Sequence, residues 1–534
     1  MPLQLIDNVG QLGIISDTQP EKLADGAWSN GQNVRFDGFV ASKVAGSRYF
    51  AGSLSGSAYS LFAHTTFDGA HFFAYAGLTS VFTVNNNIHY DISRLVGGAY
   101  TTDTTKLWTG GVLGGLLFMN NGIDIPQIQL TPTASAHLAN IPNWPTTVTT
   151  RCNCLRAYKN YLVALDVTKG AIRYRQMVKW SASAQPLTAP TSWDEADTTK
   201  DAGETSLSET NGTVVDCLPL RDINIIYKDD SVHGMQYIGV PFVFRFYQIF
   251  SSVGIIAKRC VAAFENYHCF IGNDLDIYVH DGNTIRSIAD SRWRQYMRQN
   301  VLGSRYERMF MVANPVTSEI WVFIPTGSAQ YTSKVLMWNW RKDTWGERDV
   351  ANVSSAVAGG IESTDYVTIW SAMTTTWDTE GTTWAELESL PPDRKLVMCN
   401  PDSLTGVIET EYGTLELGAN LPFMLERTGI WGIPTAISDG ARVIDLGSVK
   451  FVRRIRFRTK DISVSDAITF KVAVQSDLNS PQAYASTNKL TNSTAEVTVL
   501  KRGAFLSIRI ESTMDTLFSL QSVEIEVEPS GDYL

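Results

Sequence analysis

The chain has 534 residues and a formal net charge of −10, with 18% charged and 11% aromatic residues. A chain of this length can bury a large core and form two or more domains. The acidic balance argues against a general nucleic-acid binder, which is normally basic. Plentiful aromatic residues and sparse charges favour all-β architecture over helices.

The first residues, MPLQLIDNVGQLGIISD, have no basic segment followed by an apolar run and so predict no signal peptide. No stretch approaches the roughly 18 apolar residues that a membrane-spanning helix needs. Six cysteines are too few for a disulfide framework in a chain of this size, so buried thiols are expected. We therefore expect synthesis and folding in a cytoplasm, with no membrane span.

From the chain start to about residue 350, an apolar strand, a polar turn and a second apolar strand recur. The turns lie at Asp37-Gly38, Asp68-Gly69, Gly114-Gly115, Lys159-Asn160, Arg221-Asp222, Glu265-Asn266 and Pro315 to Ser318. Their spacing is roughly 45 residues, typical of a four-stranded propeller blade. This pattern predicts a β-propeller of about six irregular blades over residues 1–435. The alternative, that any all-β chain shows hairpins at such intervals, stays open at this point.

One longer interval, nearer to about 60 residues, contains an insertion at about residues 181–211 that is rich in Ser, Thr, Ala and Pro. It predicts an excursion away from the core. The insertion is also acidic, so we expect it on the outside of an assembly or against a neighbouring subunit. Its charged residues are Asp194, Glu195, Asp197, Asp201, Glu204 and Glu209 against Lys200.

After about residue 350 the spacing of strands and turns becomes irregular. The segment TWDTEGTTW places Trp377 and Trp384 across a turn and nearly matches the Asp-box turn of sialidase-like propellers, with one residue too many between Asp378 and Gly381. From about residue 441 to 527, five segments alternate strictly between apolar and polar residues. They predict a separate C-terminal β-sandwich over residues 436–534.

Four stretches resemble the tail nozzle proteins, or packaged-DNA stabilisation proteins, of short-tailed bacteriophages. They are NVRFDGFVASKVAGSRYF; SVHGMQYIGVPFVFRFYQIFSSVGIIA with FIGNDLDIYVHDGNTIRSI; VLMWNWRKDTWGERDV; and RGAFLSIRIES with SVEIEVEPSG. The resemblance implies a propeller-based subunit of a homohexameric ring in the virion tail. Such a ring lies below the portal and adaptor, adjoins tail fibre or spike proteins, and retains packaged double-stranded DNA until ejection.

Two charged clusters are candidate contact sites. A short helix is predicted from Asp290 or Ser291 to Gly303, and its residues Arg292, Arg294 and Arg298 are candidates for contact with DNA in the lumen or with a neighbouring subunit. On the C-terminal strands, alternation predicts a charge stripe that pairs between strands or between subunits. The stripe consists of Arg454, Arg456, Arg458, Glu524, Glu526 and Glu528.

No motif predicts an enzyme, a cofactor or a metal site. The chain has no Walker loop, HExxH, Cys-x-x-Cys or G-x-S-x-G sequence. His268 and His280 lie on predicted strands beside apolar residues, which favours structural positions. A carbohydrate-binding propeller for host attachment is an alternative, because Trp377 and Trp384 could stack on sugars. A sialidase-like glycosidase is a further and weaker alternative.

Overall fold

The structure, a computed structural model, describes residues 3–361 and 393–532, apart from residues 25, 86, 105–106, 147, 240–241, 431–436, 439–440, 443–447, 461–467, 478–481, 488–489, 492 and 514–517. The described chain is almost entirely β-structure. It also has an α-helix, Arg294–Asn300, and 3₁₀ helices at Pro20–Lys22 and Gly303–Arg308. Within these described ranges, no helix is long and apolar enough to cross a membrane.

Seven antiparallel four-stranded units, named blades 1 to 7, follow one another along the chain. Blade 1 consists of Ser60–Thr65, His71–Ala76, Val81–Asn85 and Ile88–Asp91. Blade 2 consists of Thr109–Leu113, Leu116–Asn120, Gln127–Gln129 and Leu138–Asn140. Blade 3 consists of Thr150–Tyr158, Tyr161–Lys169, Ile172–Trp180 and Gly203–Ser206. Blade 4 consists of Val214–Leu220, Ile223–Lys228, Val232–Gly239 and Val243–Phe250. Blade 5 consists of Val261–Phe264, Tyr267–Ile271, Ile277–His280 and Ile285–Ser287. Blade 6 consists of Phe310–Asn314, Glu319–Ile324, Thr332–Asn339 and Thr344–Val353.

Blade 7 is discontinuous in sequence. Its first three strands are Ser355–Ile361, Asp393–Cys399 and Val407–Thr410, and its fourth is Ser47–Phe50 from the chain start. The short strands Leu415–Glu416 and Ala419–Asn420 extend the same sheet.

The first strand of every blade contacts the first strands of both neighbouring blades, and the contacts continue from blade 7 back to blade 1. The seven blades therefore form a closed β-propeller whose first strands are the inner strands around the axis. The predicted fold class is thus confirmed for the propeller, with one blade more than the expected number of about six. The seventh blade shows no hairpin turn at the expected spacing, because residues 362–392 separate its first two strands.

Six of the seven recurring turns of the sequence connect the inner and second strands of blades 1 to 6. The first, Asp37-Gly38, instead connects Val34–Phe36 and Ala41–Lys43, which lie outside the blades. Two-residue hairpins need positive φ at their first central position, since only that twist matches the flanking strands. Lys159, Arg221 and Glu265 accordingly adopt φ of 51°, 54° and 47°. The paired glycines Gly114 and Gly115 serve the same geometry at φ of 55° and 89° in blade 2.

The predicted insertion differs from the expected excursion. Residues 181–202 connect the third and fourth strands of blade 3, and Glu204 already belongs to the fourth strand. Trp193 is only 1% exposed and packs edge-on against Trp144, with ring centroids 4.6 Å apart. Lys179, fully buried, donates to Glu204 at 2.9 Å and also pairs with Glu195. A large aromatic side chain and paired charges thus fasten this segment to the blade.

The remaining strands form two sheets beside the propeller, here called the two-sheet body. The first sheet contains Leu3–Ile6, Ala41–Lys43, Ser519–Asp532, Ser448–Lys460, Thr494–Gly503 and Leu490–Thr491. The second sheet contains Asn30–Gln32, Phe423–Ile430, Phe505–Ser512, Thr469–Gln475 and Tyr484–Thr487. The strands Gly13–Ile14 and Ala27–Trp28 pair in parallel at the edge of blade 6, and Ile437–Ser438 pairs with Ala441–Arg442.

The two sheets of this body bury aromatic side chains between them. Phe457 and Phe470 have ring centroids 5.0 Å apart, and Phe423 and Phe518 are 5.1 Å apart. Strands from the first 43 residues and the strand Phe423–Ile430 belong to these sheets. A separate C-terminal sandwich over 436–534 stays a prediction.

One sheet joins the propeller to the two-sheet body. Val34–Phe36 pairs with Thr344–Val353 of blade 6 and with Ala41–Lys43, which in turn pairs with Ser519–Asp532. This hairpin, residues 34–43, is called the bridging hairpin. The hydrophobic core is continuous across it, running from blade 5 through the tryptophans of blade 6 to the strands of the two-sheet body.

A buried ion cluster stabilises the bridging hairpin. The Arg35 guanidinium donates to Glu319 at 2.7 Å and to Glu411 at 2.8 Å, with only 18% of the side chain exposed. Although burial opposes its charge, the two carboxylates raise the pKa of Arg35 above its ordinary value. Arg348, fully buried, lies beside Glu411 and donates to Glu416 at 2.7 Å. The cluster therefore connects strands of the bridging hairpin, blade 6 and the blade 7 sheet.

Candidate functional site

The propeller axis holds a group of charged side chains among buried apolar residues. All inner strands begin at the same face of the propeller, here called the upper face. A cavity of about 520 Å³ opens there among blades 2 to 6. It is lined by Gly122, Arg151, Cys152, Asn153, Asp166, Thr168, Arg173, Thr213, Val214, Val215, Asp229, Ile256, Lys258 and Glu307. This volume lies in the range of small-molecule sites in proteins.

An ion pair between Arg156 of blade 3 and Asp216 of blade 4 occupies the axis. Arg156 donates from Nε to Asp216 Oδ1 at 2.7 Å and from Nη2 to Oδ2 at 2.8 Å. Asp216 is fully buried and also accepts from the backbone N–H of Arg259 at 2.9 Å. Burial alone would raise the pKa of Asp216, but the Arg156 guanidinium and these donors hold it below its usual range.

Two further cations, Lys258 and Arg259, lie beside this pair and form no salt bridge within the described part of the chain. Lys258 donates only to Asn153, at 3.1 Å to Oδ1 and 3.4 Å to the carbonyl. Arg259 reaches the Ser354 carbonyl at 3.4 Å and Ser355 Oγ at 3.3 Å. Burial lowers the pKa of Lys258, and it lowers the pKa of Arg259 to about 10.

The three candidate arginines of the predicted helix are engaged within the chain. Arg292 donates to the carbonyl and to Oδ2 of Asp343, both at 3.0 Å. Arg294 donates to the Asp274 carboxylate at 2.6 Å, and Arg298 donates to the Asp274 carbonyl at 2.9 Å. The predicted shared face of Arg294 and Arg298 thus packs on blade 5. Their contact with DNA or with another subunit stays a prediction.

The helix begins later than expected. Its first turn receives the carboxylate of Asp17, which accepts from the backbone N–H groups of Gln295 at 2.6 Å and Tyr296 at 3.0 Å. The prediction that Asp290 or Ser291 is the N-cap is therefore wrong, because a residue far away in sequence performs that task. Local sequence contains no signal for such a long-range cap.

The structure brings the charge stripe together on the first sheet of the two-sheet body. Arg454 lies opposite Glu526, and Arg456 lies opposite Glu524, in adjacent antiparallel strands. Arg458 donates to Glu524 at 2.5 Å. Glu496 on the other neighbouring strand accepts from Arg456 at 2.8 Å, and Glu528 pairs with Arg453 at 3.1 Å. The alternation in sequence placed these charges on one face, and the sheet order makes them cross-strand partners.

The two strand histidines belong to a buried hydrogen-bond chain. The Tyr227 hydroxyl lies 2.8 Å from His268 Nδ1 and 2.7 Å from His280 Nε2. The Gly282 N–H donates to His280 Nδ1 at 3.2 Å, and His268 Nε2 lies 2.9 Å from the Pro219 carbonyl. Only one assignment satisfies every group: His280 Nε2–H donates to Tyr227, which donates to His268, which donates to Pro219. Burial lowers the pKa of His268 to about 4 and that of His280 to about 3.

No group of three or more His, Cys, Asp or Glu residues within the described ranges could hold a metal ion. All six cysteines are buried and unpaired with one another, as the sequence predicted. Trp377, Trp384 and the turn between Asp378 and Gly381 lie outside the described residues.

No known family model matches this sequence, and no curated protein matches it. Solved structures with similarity include BamB from Moraxella catarrhalis, at 8% identity and a TM-score of 0.35, covering 70% of this chain and 92% of that one. Another is YCF48 bound to D1 peptide, at 10% identity and a TM-score of 0.36, covering 69% of this chain and 99% of that one.

Sequence reasoning missed the axial site. Arg156 and Asp216 interrupt otherwise apolar inner strands, in LRAYKN and VVDCLPL, and Lys258-Arg259 directly precedes the apolar strand of blade 5. Charged residues within apolar strands predict buried ion pairs, because an isolated buried charge is costly. The sequence therefore contained a signal for a buried ion pair at Arg156 and Asp216. The convergence of five blades, 2 to 6, on one cavity requires the closed ring.

Proposed function

We propose that this chain is a structural, non-enzymatic virion protein: a tail nozzle subunit whose ring extends the DNA channel below the portal and retains the packaged genome until ejection. One observation carries the proposal. Three of the four stretches that resemble the nozzle family meet at the bridging hairpin, where Val34–Phe36 pairs with Thr344–Val353 and Ala41–Lys43 pairs with Ser519–Asp532. Stretches that resemble one family and build one joint support a shared architecture.

The connection between the propeller and the two-sheet body is of the kind that a ring subunit needs. A continuous sheet, a continuous core and the Arg35 ion cluster connect the propeller to the two-sheet body. Interdomain contacts within a chain are often small and polar and permit relative motion. Here the backbone ladder itself crosses the joint, so the two bodies keep a fixed relation, and copies of the chain can repeat the same contacts around an axis.

A duplex does not fit inside one propeller. Near the upper face, Arg156 reaches Gly110 of blade 2 and Asp216 of blade 4, while Arg259 reaches Ser354 beside blade 7. These side chains bridge blades at the axis, whereas the major groove of DNA alone is about 12 Å wide. A DNA channel built from this chain therefore lies between subunits, which favours a ring of several copies.

The charge of the chain supports a channel that does not hold DNA by phosphate neutralisation. Contacts between basic side chains and phosphates release counterions and bind the duplex strongly. A net charge of −10 disfavours such binding, and the candidate basic residues of the helix are engaged with Asp274 and Asp343. Retention then depends on steric narrowing and on neighbouring tail proteins.

The test is electron microscopy of the purified full-length chain over a range of concentrations. We expect closed rings with an open centre, and a matching increase in mass by mass photometry. Particles that stay single at every concentration would contradict the ring. A glycan array on the same preparation tests the alternative, since specific sugar binding by single particles would favour a host-attachment propeller.

A further inference from the structure

The axis of the propeller is cationic in a chain that is acidic overall. The described inner strands carry Arg151, Arg156 and a single carboxylate, Asp216. Lys258 and Arg259 lie just before the inner strand of blade 5. Near the axis itself, three cations, Arg156, Lys258 and Arg259, therefore surround one carboxylate.

The single carboxylate is already saturated. Asp216 accepts two hydrogen bonds from Arg156, and further ones from Cys154 Sγ at 3.2 Å and from the backbone N–H groups of Cys217 and Arg259, both at 2.9 Å. It has no remaining capacity for a strong bond to Lys258 or to the Arg259 guanidinium. A cation removed from water without a counter-ion is costly. Within the described part of the chain, Lys258 and Arg259 therefore have no directly bonded counter-ion.

The cavity has room for an anion beside Lys258. Lys258 lines the 520 Å³ cavity of the upper face, and its hydrogen bonds within the described part of the chain go only to neutral Asn153. The hydroxyl-bearing Thr168 and Thr213 line the same cavity and can supply further donors. Arg151, exposed at the rim, has no partner among the described residues.

The rim also contains carboxylates, which limit the size and charge of a ligand. Asp166 is neutralised by Arg173, with Nε to Oδ1 at 2.8 Å, and Asp229 accepts from the Thr213 N–H at 2.9 Å. Glu307 is exposed, forms no salt bridge among the described residues and attracts Lys258 only at longer range. A small anion can pass these groups and reach Lys258, whereas a polyanion such as nucleic acid would meet them along its length.

We propose that the upper axial cavity is a binding site for a small multivalent oxyanion, held by Lys258 with Arg151 at the rim. Charge-assisted N–H···O⁻ bonds are about twice as strong as neutral ones, and here they form in a partly desolvated cavity. The ligand supplies a directly bonded counter-charge to Lys258. The inference stands on the cavity alone and is independent of the ring proposal.

The experiment measures binding of pyrophosphate, inorganic phosphate and citrate to the full-length protein by isothermal titration calorimetry, with melting curves in parallel. Sodium chloride at matched ionic strength controls for general screening. We expect saturable binding and a raised melting temperature with at least one of the three oxyanions, because a ligand that binds only the native state stabilises it. The three arms distinguish a phosphate group from a polycarboxylate as the preferred ligand.

Three variants make the assignment specific. Lys258→Met weakens binding roughly tenfold or more, the loss expected for one charge-assisted bond. Without ligand, the same variant melts at a higher temperature than wild type, because an uncompensated cation has been removed. Glu307→Gln tightens binding, since it removes repulsion at the rim. Lys200→Met, at an exposed site in the insertion, changes neither quantity.

Equal affinity in wild type and Lys258→Met overturns the proposal, as does a melting shift that sodium chloride reproduces. Absence of binding by all three oxyanions also overturns it. If Lys258→Met fails to fold, Glu307→Gln still decides, because unchanged or weaker oxyanion binding in that soluble variant contradicts a cationic site behind the rim.

Discussion

Arg48 donates from Nε to Oε2 of Glu409 at 2.8 Å, across the two strands that close the propeller. The two residues are 361 positions apart in sequence. Ser47–Phe50 thereby completes blade 7, whose other strands come from the C-terminal side of the ring. The ring is closed by backbone pairing between the two ends of its own chain segment.

Deletion of residues 1–50 removes this closing strand together with the bridging hairpin. We expect loss of the single cooperative unfolding transition and exposure of apolar surface, because blade 7 loses its outer strand and the ring opens. Differential scanning calorimetry and binding of a hydrophobic dye measure both effects. Deletion of residues 1–12 is the control, since it removes the edge strand Leu3–Ile6 and leaves blade 7 complete. A wild-type melting temperature for the longer deletion would contradict this role.

Arg35→Met removes the cation shared by Glu319 and Glu411 at the bridging hairpin. We expect a loss of about 3–5 kcal/mol in the free energy of unfolding, because the buried Glu319 carboxylate remains without its cation. Urea denaturation measures the change. Adding Glu319→Gln should recover part of the loss, whereas the exposed stripe variant Arg454→Met should leave the unfolding midpoint nearly unchanged. A midpoint unaffected by Arg35→Met would show that the cluster contributes little to the joint.

Trp193→Ala should destabilise blade 3 by about 3–5 kcal/mol, the usual cost of deleting a buried aromatic side chain. The neighbouring Leu187→Ala, at a side chain that is 42% exposed, is the matched control and should have a small effect. Thermal melts of both variants measure the difference in their stability. If both behave alike, Trp193 does not fasten the insertion.

The chain of Tyr227, His268 and His280 predicts a pH dependence of stability. Both histidines have folded-state pKa values, about 4 and about 3, below the unfolded value near 6.5. Below pH 6.5 the unfolded chain therefore binds more protons than the native one, and stability falls with pH until it levels off near pH 3 to 4. Protonation of either ring would also place a proton against the Gly282 N–H or the Tyr227 O–H.

His280→Gln tests this dependence. The variant should show a shallower decrease of the unfolding free energy between pH 6.5 and 4, by about 1.4 kcal/mol for each pKa unit of the lost shift. The exposed His137→Gln is the control and should keep the wild-type slope. Urea titrations at several pH values give the comparison. Equal slopes in wild type and His280→Gln would place the pH dependence elsewhere.

The sequence predicted the parts of the fold that rest on local chemistry. Turns such as Lys159-Asn160 and Arg221-Asp222 marked the inner hairpins of six blades, because hairpin turns have a local signature. Period-two alternation also placed Arg454 and Glu526 on the same polar face of their two paired strands. The pairing of Arg48 with Glu409 had no local signal, since the two strands are joined only by closure of the ring.

The candidate helix illustrates the same limit. Helical spacing correctly placed Arg294 and Arg298 on one face, but it could not reveal that Asp274 of blade 5 receives both of them. Charge reversal of these arginines would set carboxylates against Asp274 and disturb the packing of the helix. Loss of assembly in such variants would therefore report on folding as much as on DNA.

The closing strand is translated long before the strand with which it pairs. Arg48 leaves the ribosome 361 residues before Glu409, which corresponds to roughly 20 to 70 s at 5–20 residues per second. Throughout that interval the strand Ser47–Phe50 has no partner, and an unpaired strand edge invites pairing with other chains. Nascent chains on one polysome therefore risk exchanging their first strands, and slower translation lengthens that exposure. Co-expression of an abundant holding chaperone, which covers the unpaired strand during that interval, should increase the yield of correctly closed propellers.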